Sequence, residues 1–360
     1  VPVPRRDLDE TRRRLLAWLR GRLPAAQGLE ISALSGPAAT GFSNDTLLFD
    51  ATWREGGRRH ARALVCRVQP AGTGVFPRYD VARQYRVMEA LRGTPVPVPA
   101  MLWLESDPAP LGSPFFVMER VAGRIPTDTP PYHAGGWVAE IAPAERRALW
   151  EAAVDALAAI HERDPAALGL DFLDAPPPGA DPVAWQLEHW SRYYEWAAGG
   201  ARLPVLDGAL AWLRRAPPRA EGPPRLCWGD ARIGNMIFRD RRCAAVLDWE
   251  MATLGPPEMD LGWFLYMDRH HSEGIGAPRL AGFPERAETV ARWEARMGRS
   301  ARELAWWEAF AGFRFAAIMI RVAQQMQEAR VLPADSRFAV DNTASRLLAR
   351  LLDLPPPGPD

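Results

Sequence analysis

Residues 225–263, RLCWGDARIGNMIFRDRRCAAVLDWEMATLGPPEMDLGW, constrain this chain more than any other stretch. Short apolar runs at 225–228 and 236–239 read as strands, and a third at 243–247 follows a polar turn at 240–242. Polar residues sit between them at fixed spacing. Asp230 is followed five positions later by Asn235, and Asp248 closes the third run. A loop carboxylate such as Asp230 can orient the proton of a hydroxyl. Asn235 and Asp248 offer the oxygen atoms that Mg²⁺ prefers. Phosphoryl transfer asks for little more than an in-line acceptor and neutralised phosphate charge.

The stretch resembles the aminoglycoside phosphotransferase family, the small-molecule branch of the protein-kinase-like fold. That family carries H-G-D-x-x-x-x-N, then apolar residues, then I/L-D-W/F-E. Here the matching residues are Trp228-Gly229-Asp230, Asn235 and Leu247-Asp248-Trp249-Glu250, and Asp260-Leu261 falls on a further family position. Trp228 replaces a His that is mainly architectural in the family. Arg232 stands where protein kinases place a catalytic-loop lysine. The resemblance implies ATP or GTP and Mg²⁺ as co-substrates and a small-molecule hydroxyl as acceptor. Asp230 would be the catalytic carboxylate, Arg232 a phosphate-neutralising partner, and Asn235 and Asp248 the metal ligands.

Composition agrees with a globular enzyme and excludes other classes. Formal charge is zero and no charge block suggests a nucleic-acid or membrane partner. No apolar run approaches the ~18 residues of a spanning helix, and residues 1–10 show no secretory pattern. The three cysteines, Cys66, Cys227 and Cys243, lie in separate apolar runs and read as free thiols in a cytoplasmic protein. All 44 basic side chains are arginine, so any role usually given to lysine falls to a planar guanidinium.

Along the chain, 7–23 has helical apolar spacing with Asp7 as cap, and 30–34, 45–54 and 62–68 read as strands. Gly36 and Gly41 have P-loop spacing, but Phe42 follows and a strand comes next, which rules that motif out. The loop instead resembles the family's nucleotide-covering hairpin, with Gly41 and Ser43 near phosphate, although plain turn glycines read equally well. By the same resemblance Arg67 is the strand base that reaches the phosphates. Gln84, on a helix over 80–92, stands where the family has glutamate. Residues 118–121 match the purine-binding hinge, with Glu119 and Val121 as its contacts.

Residues 124–143 show no period and read as a lid or a surface excursion. Helices follow over 144–163, 182–197 and 204–215, and again near 285–297, 301–328 and 335–352. His161 reads as a structural residue at a helix end, favoured there as a partly cationic ring. The aromatic residues of 182–197 read as a packing face more than as an acceptor wall. Glu188, Glu195, Asp268 and Glu273 are acids that a polycationic acceptor would want.

The expected architecture is α+β. It has two lobes, a small antiparallel-sheet lobe over 1–120 for nucleotide and a mainly helical lobe over 121–360 for catalysis and acceptor. A protein kinase is disfavoured, because no A-P-E segment or long activation loop follows Asp248. A non-catalytic nucleotide-binding or scaffold protein of the same fold is the alternative, motivated by Gln84 and the missing lysines.

Overall fold

Asp7 opens the first helix by accepting the Asp9 and Glu10 amides at 3.0 Å. A computed structural model describes residues 6–36, 45–72 and 74–358. Chain contacts divide it into two compact units, residues 1–92 with 98–122, and residues 93–97 with 123–360. The stretch 93–97 goes with the second unit, where Pro97 O accepts the Val246 amide at 2.8 Å.

The first unit holds helix α1 (Leu8–Arg22), strands β1 (Gln27–Ile31), β2 (Asp45–Glu55) and β3 (Arg58–Val68), helix α2 (Val81–Leu91), and strands β4 (Met101–Glu105) and β5 (Phe115–Glu119). The strands form one antiparallel sheet in the order β1-β2-β3-β5-β4. Alternation along β2 sends Leu47, Phe49, Ala51 and Trp53 inward, onto Leu15 and Leu19 of α1. Gly56 and Gly57, both at positive φ, make the two-residue turn between β2 and β3.

The second unit holds α3 (Trp137–Glu140), α4 (Pro143–His161), α5 (Pro182–Ala198) and α6 (Pro204–Arg215) before the motif stretch. That stretch forms β6 (Arg225–Cys227), β7 (Met236–Arg239), β8 (Arg242–Val246) and β9 (Thr253–Gly255). Then come α7 (Glu258–His271), α8 (Arg286–Met297), α9 (Leu304–Glu328) and α10 (Thr343–Leu351). Strands β7 and β8 form a hairpin, while β6 pairs with β9. The β7–β8 turn is Asp240-Arg241, two non-glycine residues at φ 51° and 61°.

Three features differ from the sequence reading. The strand β9 is a three-residue partner for β6, too short to show a period. Helix α7 buries 258–268 without interruption, so it has no polar face and no amphipathic signature. Helix α10 starts at Thr343 rather than near 335, because Asn342 caps it by accepting the Ala344 and Ser345 amides.

Candidate active site

The loop after β6 is held from below by a second carboxylate. Asp260, fully buried on α7, accepts the Trp228 backbone amide on Oδ2 and the Gly229 amide on Oδ1, the latter at 2.9 Å. His161 reaches the same Oδ2 with Nε2 at 3.2 Å, and its Nδ1 accepts the Trp293 indole N–H at 3.0 Å. An indole only donates, so Nδ1 carries no proton and the ring is neutral. His161 is structural, as expected, but as a neutral link in a buried chain and not as a partly cationic helix end.

Gly229 is required twice over. Its φ is +93°, and a Cβ there would lie 2.3 Å from Met251 O. Its carbonyl accepts from Arg314 of α9 at 3.0 Å. That guanidinium is buried between the rings of Trp190 and Trp263, 4.6 and 4.5 Å from their centroids. Burial pulls it down to about 10.

On this platform Asp230 meets three donors. Trp263 Nε1 donates to Oδ1 at 2.9 Å, and Asn235 Nδ2 to Oδ2 at 2.6 Å. Arg232 Nε spans both oxygens at 3.2 and 3.1 Å. Opposed by burial but outweighed by Asp230 and Asp128, the Arg232 guanidinium is held firmly protonated. Because Asn235 uses its nitrogen on Asp230, the amide oxygen is the group left to face a cation.

Asp248 follows β8 at φ 59°, a left-handed conformation rare for a side-chain-bearing residue. The Trp228 indole N–H donates to Leu247 O at 2.8 Å and to Asp248 O at 3.2 Å. Leu247 N donates to Asn235 O at 2.9 Å. Trp228 thus performs architecture of its own: it stitches the segment carrying Asp230 to the segment carrying Asp248. An oxygen pair of this kind suits Mg²⁺, which takes one or two protein ligands and leaves the rest to water and phosphate. Among the described residues no group of three His, Cys, Asp or Glu side chains could hold a metal ion.

The geometry can now be set beside known proteins. The phosphotransferase enzyme family matches residues 37–298. The chain belongs to the phosphotransferase enzyme family. A putative aminoglycoside phosphotransferase from Ralstonia eutropha shares its fold at a TM-score of 0.68 and 27% identity, covering 95% of this chain and 98% of that one. An aminoglycoside phosphotransferase solved with GDP and kanamycin superposes at 0.59 and 13% identity, covering 93% and 98%. The fold is therefore the kinase-like one. Acyl-CoA dehydrogenase family member 11 of Rattus norvegicus is 32% identical over 206 residues, 57% of this chain but 25% of that protein. The phosphotransferase chain thus spans about a quarter of that relative's length.

Within this phosphotransferase, Asp230, Arg232 and Asn235 share one hydrogen-bonded set, tied by backbone to Asp248. Arg67, on β3, and Glu119, the last residue of β5, belong to the first unit, as does Val121 just beyond. Gly41 and Ser43 lie outside the described residues. Gln84 is buried on α2, and its Nε2 finds no hydrogen-bond partner among the described residues.

The acids named for a cationic acceptor are paired with basic side chains where their contacts are defined. Glu188 faces Arg192 and Arg214, Glu273 faces Arg269 and Arg350, and Asp268 faces His133 and Arg279. A cavity of about 280 Å³ lies beside Asp268, Arg279, Trp150 and Glu308, and none of the motif residues line it. Trp263 closes the motif stretch itself, but Arg314 and Asp128 meet it from far along the chain, with His271 behind Asp128, and no spacing points to them. Asp128 and His271 are the most consequential of these.

Proposed function

We propose that this chain transfers a phosphoryl group from ATP or GTP, with Mg²⁺, to a hydroxyl of a small molecule. The observation that carries the reading is the Asp230 carboxylate, fixed by Trp263, Asn235 and Arg232, on a loop stitched to Asp248. Asp230 orients the acceptor hydroxyl and takes up its proton as the bond to phosphorus forms and the bond from phosphorus to the departing nucleoside diphosphate breaks. Arg232 supplies positive charge beside the transferred group. Asn235 Oδ1 and the Asp248 carboxylate would hold Mg²⁺, which when bound neutralises phosphate charge. Arg67 meets the α- and β-phosphates, and Glu119 and Val121 the purine.

The first unit would serve the nucleotide, and the second catalysis and acceptor. Free Cys66, Cys227 and Cys243 fit a cytoplasmic setting, and no described helix is long and apolar enough to cross a membrane.

Two findings bear on the acceptor. Arginine side chains pair with three of the four acids that a polycation would seek. The named relatives join a matching segment to an acyl-CoA dehydrogenase name. Both favour a hydroxyacyl thioester over an aminoglycoside.

Calorimetric titration of ATP and GTP, with and without Mg²⁺, tests the reading on wild type and Asp248→Ala. Metal-dependent binding that Asp248→Ala removes is the expected result. No binding under any condition would replace the reading with a scaffold of the same fold.

A further inference from the structure

Arg232 has a second carboxylate partner, closer than Asp230. Its Nη1 donates to Asp128 Oδ2 at 2.6 Å, shorter than either contact of Nε with Asp230. Asp128 is braced in turn, since His271 Nε2 lies 3.2 Å from its Oδ1. The other ring nitrogen, Nδ1, lies 2.8 Å from Met267 O. Each ring nitrogen therefore faces an acceptor. Tyr132 stacks on His271 at 4.9 Å. Burial disfavours charge on Asp128, but Arg232 first and then His271 outweigh it and hold the carboxyl well below the usual range.

A second observation shows that the chain is shaped around this contact. Gly234 has no positive φ to explain it, yet a Cβ there would lie 2.4 Å from Arg232 Nη1 and 2.9 Å from Asp128 Oδ1. The space beside the loop is reserved for the guanidinium and its second carboxylate.

A guanidinium that forks one carboxylate side-on uses Nε and Nη2, as Arg292 does on Asp155 with two bonds of 2.8 Å. Arg232 instead sends Nε across both oxygens of Asp230 and Nη1, on its other edge, to Asp128. We propose that Asp128 is a positioning residue for phosphoryl transfer: by holding Nη1 of Arg232, it sets the angle at which the guanidinium meets Asp230, with a single N–H on the carboxylate. The base stays open to an acceptor hydroxyl, and the positive charge stays at a fixed place beside it. The inference rests on the function proposed above.

The test is a double-mutant cycle on Mg²⁺-ATP hydrolysis, with water as acceptor, using wild type, Asp128→Asn, Arg232→Gln and the double variant. Asp128→Asn lowers kcat about tenfold while the nucleotide KM moves less than about twofold. In the Arg232→Gln background it lowers kcat no further. Fully additive losses overturn the inference.

A measurement that needs no turnover accompanies the cycle: the Arg232 Nε–H signal, followed by NMR. Asp128→Asn loosens Nη1 and moves that signal, because the guanidinium changes its angle to Asp230. An unchanged signal overturns the inference even if hydrolysis is too slow to follow. A wild type that neither binds nor hydrolyses ATP sinks the proposed function instead.

Discussion

Asp230 and Asp268 lie in the same unit and each leans on an arginine, yet they end as opposites. Each carboxylate meets that arginine through Nε and an aromatic side chain as well, the Trp263 indole at Asp230 and the Tyr132 hydroxyl at Asp268. Around Asp268 the donors are fully committed. Arg279 gives Nε to Asp268 at 2.7 Å and its two remaining nitrogens to the carbonyls of Phe283 and Pro284. His133 gives Nε2 to Asp268 at 2.9 Å while Nδ1 accepts the Leu280 amide. Around Asp230 the arginine is divided between two carboxylates, and the side chain keeps 19% of its surface against 8% for Asp268. One is a closed knot that joins 133, 268 and 279. The other is a charge left partly available. Pairing alone does not separate the two carboxylates; under the proposed function, the surface that Asp230 keeps open to a reactant does.

The largest break between the two should come from removing each carboxylate. Asp230→Ala is expected to lower phosphoryl transfer by about 10³-fold with the thermal midpoint nearly unchanged, measured by product formation and by calorimetry. Asp268→Ala should reverse the pattern. It strands the partly buried Arg279 and costs about 3 kcal/mol in denaturant unfolding, while activity per folded molecule is kept. Equal activity losses in both would erase the distinction.

Acid sharpens the comparison. Burial opposes the charge on Asp268, but the His133 hydrogen bond and Arg279 more than offset it and depress its carboxyl. A depressed native value contributes stability that is complete above the unfolded carboxyl's ordinary value and is lost as pH falls through the native one. Wild type should therefore lose more stability on acidification than Asp268→Asn, as unfolding midpoints measured across the acid range would show. The smallest effect is expected from Trp263→Phe, which keeps the ring against Arg314 but deletes the donor to Asp230. A loss of about 1 kcal/mol, roughly fivefold in turnover, is the expected reading.

The legible part of this molecule was local. Asp230, Asn235 and Asp248 stand close enough in sequence for spacing to carry meaning, and the apolar runs between them, at 236–239 and 243–247, are plain. The rest of the site comes from residues whose partners are far away. Asp128 sits in 124–143, which shows no period because its work is to carry one carboxylate to Arg232, 104 positions on. Trp263 and His271 ride on a helix whose nearly continuous burial hides its face. Gly234 makes room for Arg232 in its own loop and for Asp128 far back in the chain, and only the fold brings the second one to it. Trp228 was visible as a departure from His, but its bond to the Asp248 carbonyl belongs to the folded chain.

The β7–β8 hairpin behaves like a pair of calipers. Asn235 stands just before one arm and Asp248 just beyond the other, while Asp240 and Arg241 form the pivot at the far end, both in a backbone conformation that glycine or asparagine would hold with less strain. The gap between two would-be metal ligands is tied at its near end by the Leu247 N–H on Asn235 O, and the arms that carry it end in a surface turn that touches neither. An Asn-Gly pivot would tighten or relax that gap without altering any residue of the site, giving a remote screw with which to tune metal affinity.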